Sequence, residues 1–194
     1  MHVTAKLVKC VAIAALAASA SACGEFTREG RAPVVVVVDS LTEVEDDQGT
    51  LLSDVLTNNS TFNDMAEVEM HLIVKDPGVP GAGASPSPLN AVTINRYRVE
   101  YRRADGRNTP GVDIPYPFDS ATTFTIPAEG TGGTTFQIVR HSAKEEAPLK
   151  ALASNFDIIS TIAYVTFYGR DQAGNDVSAT ASIGVDFGDF ADPN

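Results

Sequence analysis

Oxygen-bearing side chains gather at three places in this 194-residue chain where they could bind a cation. Asp171, Asn175 and Asp176 share one short stretch, residues 43–47 contain four acids, and a C-terminal run repeats an acid every three residues: Asp186, Asp189 and Asp192. Calcium takes about six to eight oxygen ligands, and loops at the end of a β-sandwich can supply them. None of these runs has the spacing of an EF-hand loop, and Asp171 and Asn175 are also ordinary turn formers. The sequence therefore marks Asp171, Asn175 and Asp176 as candidate ligand-binding residues without assigning a metal.

The sequence contains none of the common catalytic motifs. Gly-x-Ser-x-Gly, His-Glu-x-x-His and a glycine-rich phosphate loop followed by Lys-Ser or Lys-Thr are all missing. His71 falls on the polar face of a predicted strand and His141 at the end of another, so both are predicted to be surface or edge residues. We expect no enzymatic activity and no cofactor.

A glycan is the second candidate ligand, since flat aromatic side chains bind sugars. Trp is absent, which leaves Tyr116 and Phe118 in a proline-rich segment, or Tyr97 and Tyr101 on a predicted strand. The alternation of that strand predicts that Tyr97 and Tyr101 face inward. Binding of calcium or of a cell-surface glycan therefore remains the alternative function.

The N-terminus has the composition of an export signal. Lys6 and Lys9 precede an apolar or small-residue run over residues 10–19, and small residues continue to Cys23. The run is too short to cross a bilayer as a helix, which needs about 20 residues. We assign residues 1–22 to the signal. The alternative is a plain secretory signal cleaved after Ala20 or Ala22, which leaves Cys23 as a free thiol.

The stretch Ala20-Ser21-Ala22-Cys23-Gly24 resembles the lipobox of bacterial lipoproteins. The resemblance implies that the Cys23 thiol receives a diacylglyceryl group and that lipoprotein signal peptidase cleaves just before it. Ala20 stands where the lipobox usually has Leu. Gly24, rather than Asp, follows the cysteine, which in enteric-type sorting implies the outer membrane. Because two acyl chains give stable attachment, we expect the membrane as a partner through the lipid on Cys23.

Composition bounds the rest of the chain. Removal of residues 1–22, which include Lys6 and Lys9, changes the formal charge from −11 to −13. So acidic a chain is a poor match for nucleic acid and for anionic lipid headgroups. The remaining 172 residues suffice for one domain with its own core, and the single remaining cysteine allows no internal disulfide.

Alternation of apolar residues with a period of two predicts seven or eight strands. They cover residues 34–38, 66–75, 92–102, 122–126, 134–139, 158–168 and 177–187, with 51–56 of ambiguous type. The unbroken valine run at 34–38 predicts burial on both faces. Val92 and Ile94 fall one residue out of register with Tyr97, which predicts a bulge. Residues 144–154 predict one short crossover helix.

Many short strands and little helix favour an all-β, antiparallel sandwich. Residues 168–176, Tyr-Gly-Arg-Asp-Gln-Ala-Gly-Asn-Asp, resemble the last hairpin of bacterial immunoglobulin-like and fibronectin type III-like domains, and residues 96–102 resemble their central Tyr-bearing strand. We expect a tether at 23–32, an immunoglobulin-like sandwich at 33–190 and a tail at 191–194. The resemblance implies a non-catalytic, lipid-anchored envelope protein whose sandwich is a structural or protein-interaction module. Its expected partners are the membrane and an envelope protein, without nucleic acid or small-molecule substrate.

Overall fold

The computed structural model describes residues 30–44, 49–75 and 87–190, which form a sandwich of two β-sheets. In spatial order, the first sheet contains β1 (Val34–Glu43), β3 (Asp64–Val74) and β6 (Thr131–Val139). The second contains β2 (Thr50–Asp54), β8 (Asp176–Gly188), β7 (Ile159–Asp171), β4 (Val92–Arg102) and β5 (Phe118–Ile126). Neighbouring strands are antiparallel except β2 and β8, which are parallel. The predicted all-β sandwich is confirmed.

Helical structure among the described residues is confined to short pieces. The α-helix α1 (His141–Lys144) and a 3₁₀ helix (Leu149–Ser154) connect β6 to β7, and another 3₁₀ helix (Pro88–Asn90) precedes β4. The predicted crossover helix at 144–154 corresponds to the 3₁₀ helix, whereas α1 precedes that range and shares only Lys144 with it. Pro148, which lacks the backbone N–H that a continuous helix needs, lies between the two pieces. Within the part of the chain described, no helix has the length and apolarity to cross a membrane.

The core lies between the sheets and is built by alternation along the strands. Tyr97, Phe136 and Phe167 pack edge to face at its centre, with the Phe136 ring centre 4.9 Å from that of Tyr97 and 5.2 Å from that of Phe167. The Tyr97 hydroxyl donates to the Gln137 carbonyl at 2.9 Å. The Tyr101 hydroxyl donates to the carbonyl of the next residue in β6 at 2.6 Å. These two bonds tie β4 in one sheet to β6 in the other.

Three local predictions meet different outcomes. The bulge in β4 is confirmed, because its register shifts between Ile94 and Arg96 against both neighbours. The ambiguous segment 51–56 contains β2. Burial of the valine run on both faces is wrong: Val34 and Val36 are buried, but Val35 is 43% exposed. A two-layer sandwich covers only one face of each sheet, so every second valine faces outward.

The strands give the sandwich two distinct ends. At the N-terminal end, β1 begins beside the end of β3, where the Lys75 N–H donates to the Pro33 carbonyl at 2.8 Å; the β5–β6 and β7–β8 turns lie at the same end. The opposite end, called the loop end below, carries the β1–β2, β2–β3, β4–β5 and β6–β7 connections and residues 189–190. β7 has 13 residues, so the two ends are about 40 Å apart at a rise of about 3.3 Å per residue.

Candidate functional site

The three candidate ligand residues lie together in the β7–β8 turn at the N-terminal end. The buried Asp171 carboxylate accepts hydrogen bonds from the Asn175 backbone N–H at 2.8 Å and from Asn175 Nδ2 at 2.7 Å. Asp176 forms an ion pair with Arg170 at 2.7 Å. Gly174, with φ of +85°, completes the turn in a conformation that favours glycine. The oxygens that a cation would need are thus engaged in closing the turn.

The other acidic runs and the cysteine are only partly described. Cys23, residues 45–48 and Asp192 lie outside the described residues. Within the described ranges, no group of three or more His, Cys, Asp or Glu side chains is arranged to hold a metal ion.

His71 and His141 are on the surface, as predicted, and lie at opposite ends of the sandwich. His71 Nδ1 lies 2.6 Å from Asp39 Oδ1, on the outer face of the three-stranded sheet. His141 Nδ1 lies 3.0 Å from Asn63 Oδ1 at the loop end, where α1 begins rather than where a strand ends. Each imidazole has its own local partner, so the two do not form a shared site.

Three of the four aromatic side chains proposed for glycan binding are buried. Tyr97 and Tyr101 face the core, which confirms that prediction, and Phe118 is buried as well. Tyr116 is half exposed, but its ring packs against Gly111, whose φ of +76° lets the loop fold beneath it. Of the four aromatic residues proposed for glycan binding, Tyr116 alone is exposed.

A cavity of about 390 Å³ lies beneath the β4–β5 connection. Its polar wall includes Glu100, Arg102 and Asn108. Glu100 accepts a hydrogen bond from Arg98 at 2.8 Å, and Asn108 accepts one from the Arg103 N–H at 2.7 Å. In a substrate site, a few polar groups converge on one point. Glu100 and Asn108 of this cavity instead bond to neighbouring protein groups.

The outer face of the five-stranded sheet carries an ionic ladder. Arg96 and Arg98 both pair with Asp119, and Arg98 also binds Glu100. The Arg96 guanidinium lies 4.0 Å from the Tyr168 ring centre. Exposed pairs of this kind contribute about 1 kcal/mol or less each, so the ladder is a solvated surface network with its charges already partnered.

One buried polar network has no signal in the sequence. The Lys144 ammonium is buried and donates to Asp64 Oδ1 at 2.8 Å and to the Asp54 carbonyl at 2.7 Å. The fully buried Ser53 hydroxyl donates to the other Asp64 oxygen at 2.6 Å. Burial raises the pKa of Asp64, and the charge and hydrogen bond of Lys144 counteract part of that rise. Because the ammonium contacts the carboxylate rather than the hydroxyl, and the hydroxyl is closed to solvent, the network fixes the structure rather than activating a nucleophile.

Exposed apolar side chains concentrate toward the loop end. Of twelve large apolar residues that the structure describes as exposed, nine lie in the half of the sandwich toward that end: Val44, Leu52, Phe62, Met65, Val112, Tyr116, Phe156, Ile158 and Ile162. Phe156 is fully exposed. Single exposed apolar residues need no explanation, whereas a contiguous group of them marks an interaction surface.

Phe156 is held at the tip of a well-defined turn between the 3₁₀ helix and β7. Asn155 fixes both sides of this turn, because its Nδ2 donates to the Ala151 carbonyl at 3.0 Å and its Oδ1 accepts from the Asp157 N–H at 2.8 Å. The Asn155 N–H also donates to the Leu152 carbonyl at 3.1 Å. The aromatic ring is therefore presented by a hydrogen-bonded backbone.

No family model matches the chain, and no curated protein matches it. The chain is similar to a solved structure described as the X-ray structure of Northeast Structural Genomics Consortium target SoR45, with 13% identity and a TM-score of 0.36; the match covers 79% of this chain and 86% of that one.

Proposed function

We propose that this chain is a non-catalytic lipoprotein of the bacterial cell envelope, anchored through a lipid on Cys23. Its β-sandwich acts as a structural or protein-interaction module of the immunoglobulin-like or fibronectin type III-like kind. Gly24 after the cysteine favours the outer membrane as the location.

The proposal rests on the difference between the two ends of the sandwich. The described chain enters at the N-terminal end, where the Lys75 N–H holds Pro33, while the exposed apolar side chains concentrate toward the loop end. An anchor a few residues before Gly30 would therefore attach one end of the domain to the membrane and direct the other end away from it. This is the arrangement that a tethered binding or spacer domain needs.

The polar side chains support a non-catalytic role. The carboxylate of Asp171 closes a turn, Lys144 and Asp64 neutralise each other inside the sandwich, and the arginines of the outer ladder are ion-paired. Catalysis instead requires groups that are preorganised around a reacting atom.

Mass spectrometry of the mature N-terminus and partition into detergent test the anchor, with two matched cysteine variants. We expect the wild-type protein to begin at diacylglyceryl-modified Cys23 and to enter the detergent phase. Cys23→Ser should leave the protein unlipidated and in the aqueous phase. Cys10→Ser, which changes the other cysteine of the chain, should behave like wild type. A mature chain that begins elsewhere, or a wild-type protein recovered entirely in the aqueous phase, would refute the anchor.

A further inference from the structure

An apolar patch on the outer face of the five-stranded sheet continues from the Phe156 turn. We define the apolar patch as Leu52, Phe156, Ile158 and Ile162, which are all exposed. Ile158 packs with Phe190 over Gly188, where an added Cβ would lie 3.2 Å from the Phe190 ring and 3.4 Å from Ile158 Cγ1.

The members of the patch are distributed over β2 and the start of β7, with Ser160 of β7 and Asp186 of β8 between them. Ile162 pairs with Gly184 of β8, and the Thr50 side chain of β2 lies over that glycine, 3.0 Å from where an added Cβ would be. Leu52 lies on the far side of β8, next to Asp186. Adjacent strands are about 4.8 Å apart and residues rise about 3.3 Å along a strand, so Ile158 and Ile162 lie roughly 13 Å apart and Leu52 and Ile162 roughly 12 Å apart. These separations fit within a single interface of standard size.

The patch is large enough to form the centre of an interface but not the whole of it. A large side chain exposes roughly 200 Å² when free, so the fractional exposures give an apolar area of about 400–500 Å². A specific interface takes about 800 Å² from each partner. Roughly half of the contact must therefore come from the polar groups around the patch.

Those surrounding groups are mainly acidic. Asp157 follows Phe156, Asp186 lies between Leu52 and β7, and Asp189 precedes Phe190. The carboxylates of these three residues have no hydrogen bond or ion pair with any other described residue. The neighbouring cations are Arg102, which stacks on Tyr164 and pairs with Glu100, and the exposed Lys150.

The acidic groups around the patch favour some binding partners over others. A bilayer with anionic headgroups repels three unpaired carboxylates, and a second copy would bring its own acidic rim against this one. The sequences of the adjacent segments, Glu-Asp-Asp-Gln at 45–48 and Ala-Asp-Pro-Asn at 191–194, are acidic or polar and match an apolar surface poorly. An exposed aromatic on a fixed turn, inside an acidic rim, instead suits a pocket with basic edges, because aromatic anchors dominate interface energetics.

We propose that the apolar patch docks a different protein, which receives Phe156 in an apolar pocket bordered by Lys or Arg side chains. This inference rests on the proposed role as an interaction module and specifies the surface and the partner's chemistry. Because Phe156 is fully exposed, its removal leaves the fold intact and acts on binding alone.

The test places the photocross-linker p-benzoylphenylalanine at position 156 of the full chain in its native envelope. Leu89 serves as the control position, since it is 64% exposed and lies at the opposite end. We expect one adduct with a different protein from position 156 and none from position 89. Repeating the experiment with Cys23→Ser separates the two proposals, because the adduct depends on the patch and lipidation depends on the cysteine.

Charge reversal tests the chemistry of the partner. D157K/D186K should reduce the adduct at least 10-fold, whereas E67K/E69K, which makes the same change of charge on the outer face of the other sheet, should not. The captured protein, once identified and purified, should bind Phe156→Ala about 30-fold more weakly than wild type, and more weakly at 300 mM than at 50 mM salt. The inference is overturned by no adduct, by adducts only with lipid or a second copy, by equal capture at position 89, or by equal effects of the two charge reversals.

Discussion

Replacement of Lys144 by Met should destabilise the protein in a pH-dependent way. The variant keeps most of the buried volume but removes the ammonium that lies 2.8 Å from Asp64 Oδ1 and 2.7 Å from the Asp54 carbonyl. Loss of one member of a buried pair costs about 3–5 kcal/mol, since the other charge stays buried without compensation. The Asp64 side chain retains 19% of its exposure, so we expect the lower end, about 3 kcal/mol at pH 7.5. That is a large share of the 5–15 kcal/mol by which domains of this size are usually stable.

The sign of the pH dependence follows from Asp64. Burial raises its pKa in the folded protein, and Lys144 lowers it, so the variant has a still higher folded pKa. The folded variant then binds the proton more tightly than the unfolded chain does. Its free energy of unfolding therefore falls as the pH rises from about 4, the ordinary pKa of aspartate, through the folded pKa, and stays low above it. K144M should be least destabilised near pH 4 and most destabilised at neutral pH.

Urea unfolding followed by circular dichroism at pH 4.5 and 7.5 measures both effects, with K144M/D64N as the matched control. The neutral amide of the double variant should recover part of the stability at pH 7.5 and abolish its extra pH dependence. A loss of less than 1 kcal/mol, an equal loss at both pH values, or a double variant less stable than K144M would show that the ion pair does not have this role.

The remaining predictions concern the core and the turn. Tyr101→Phe removes the 2.6 Å hydrogen bond to the Ile138 carbonyl and should lower the free energy of unfolding in urea by about 1–2 kcal/mol. Burial also raises the Tyr101 pKa. Wild type should therefore lose stability as the pH rises above about 10, and the variant should lose less. Gly132→Ala would put a Cβ 2.6 Å from the Thr125 carbonyl oxygen and should lower stability by about 1–3 kcal/mol, whereas Gly49→Ala, with open space around it, should change it by less than about 0.5 kcal/mol. Asp171→Ala removes both hydrogen bonds from Asn175 and should lower the free energy of unfolding by about 1–3 kcal/mol. Neither this variant nor wild type should change its melting temperature between calcium and a chelator. A calcium-dependent rise in wild type would contradict the assignment of Asp171 as a turn former.

Alternation along the chain predicted the strands well because one face of each strand packs against the core. The bounds of β4 and its bulge follow directly from the positions of Val92, Ile94 and Tyr97. β2 is only five residues long and its neighbour β8 lies more than 120 residues later, so neither its type nor its parallel pairing has a local signal. Burial of both faces of the valine run was predicted wrongly for a related reason, since composition alone does not show which face of a strand the opposing sheet covers.

The functional surfaces were harder to predict than the strands. Ser53, Asp64 and Lys144 come from three separate elements, and nothing near Lys144 in the sequence distinguishes it from a solvated helix residue. Phe156 presents the opposite difficulty, because an aromatic residue is expected to be buried unless the structure shows otherwise. The signal that remains in the sequence is Asn155, a residue that forms local side chain–backbone bonds and so favours a turn that projects its neighbour.

The proposed anchor limits how far the apolar patch can lie from the membrane surface. If the lipid is on Cys23, the nine residues 24–32 span at most about 30 Å, and the sandwich adds about 40 Å between its ends. The patch can then reach no farther than about 70 Å from the membrane surface. A partner must present its basic-edged pocket inside that layer, which favours another envelope protein over a freely diffusing one, because confinement of both to the same layer raises their effective concentration. The apolar patch of about 400–500 Å² forms the centre of a contact that the polar groups around it complete, so confinement adds to the occupancy of the contact and is not required for it.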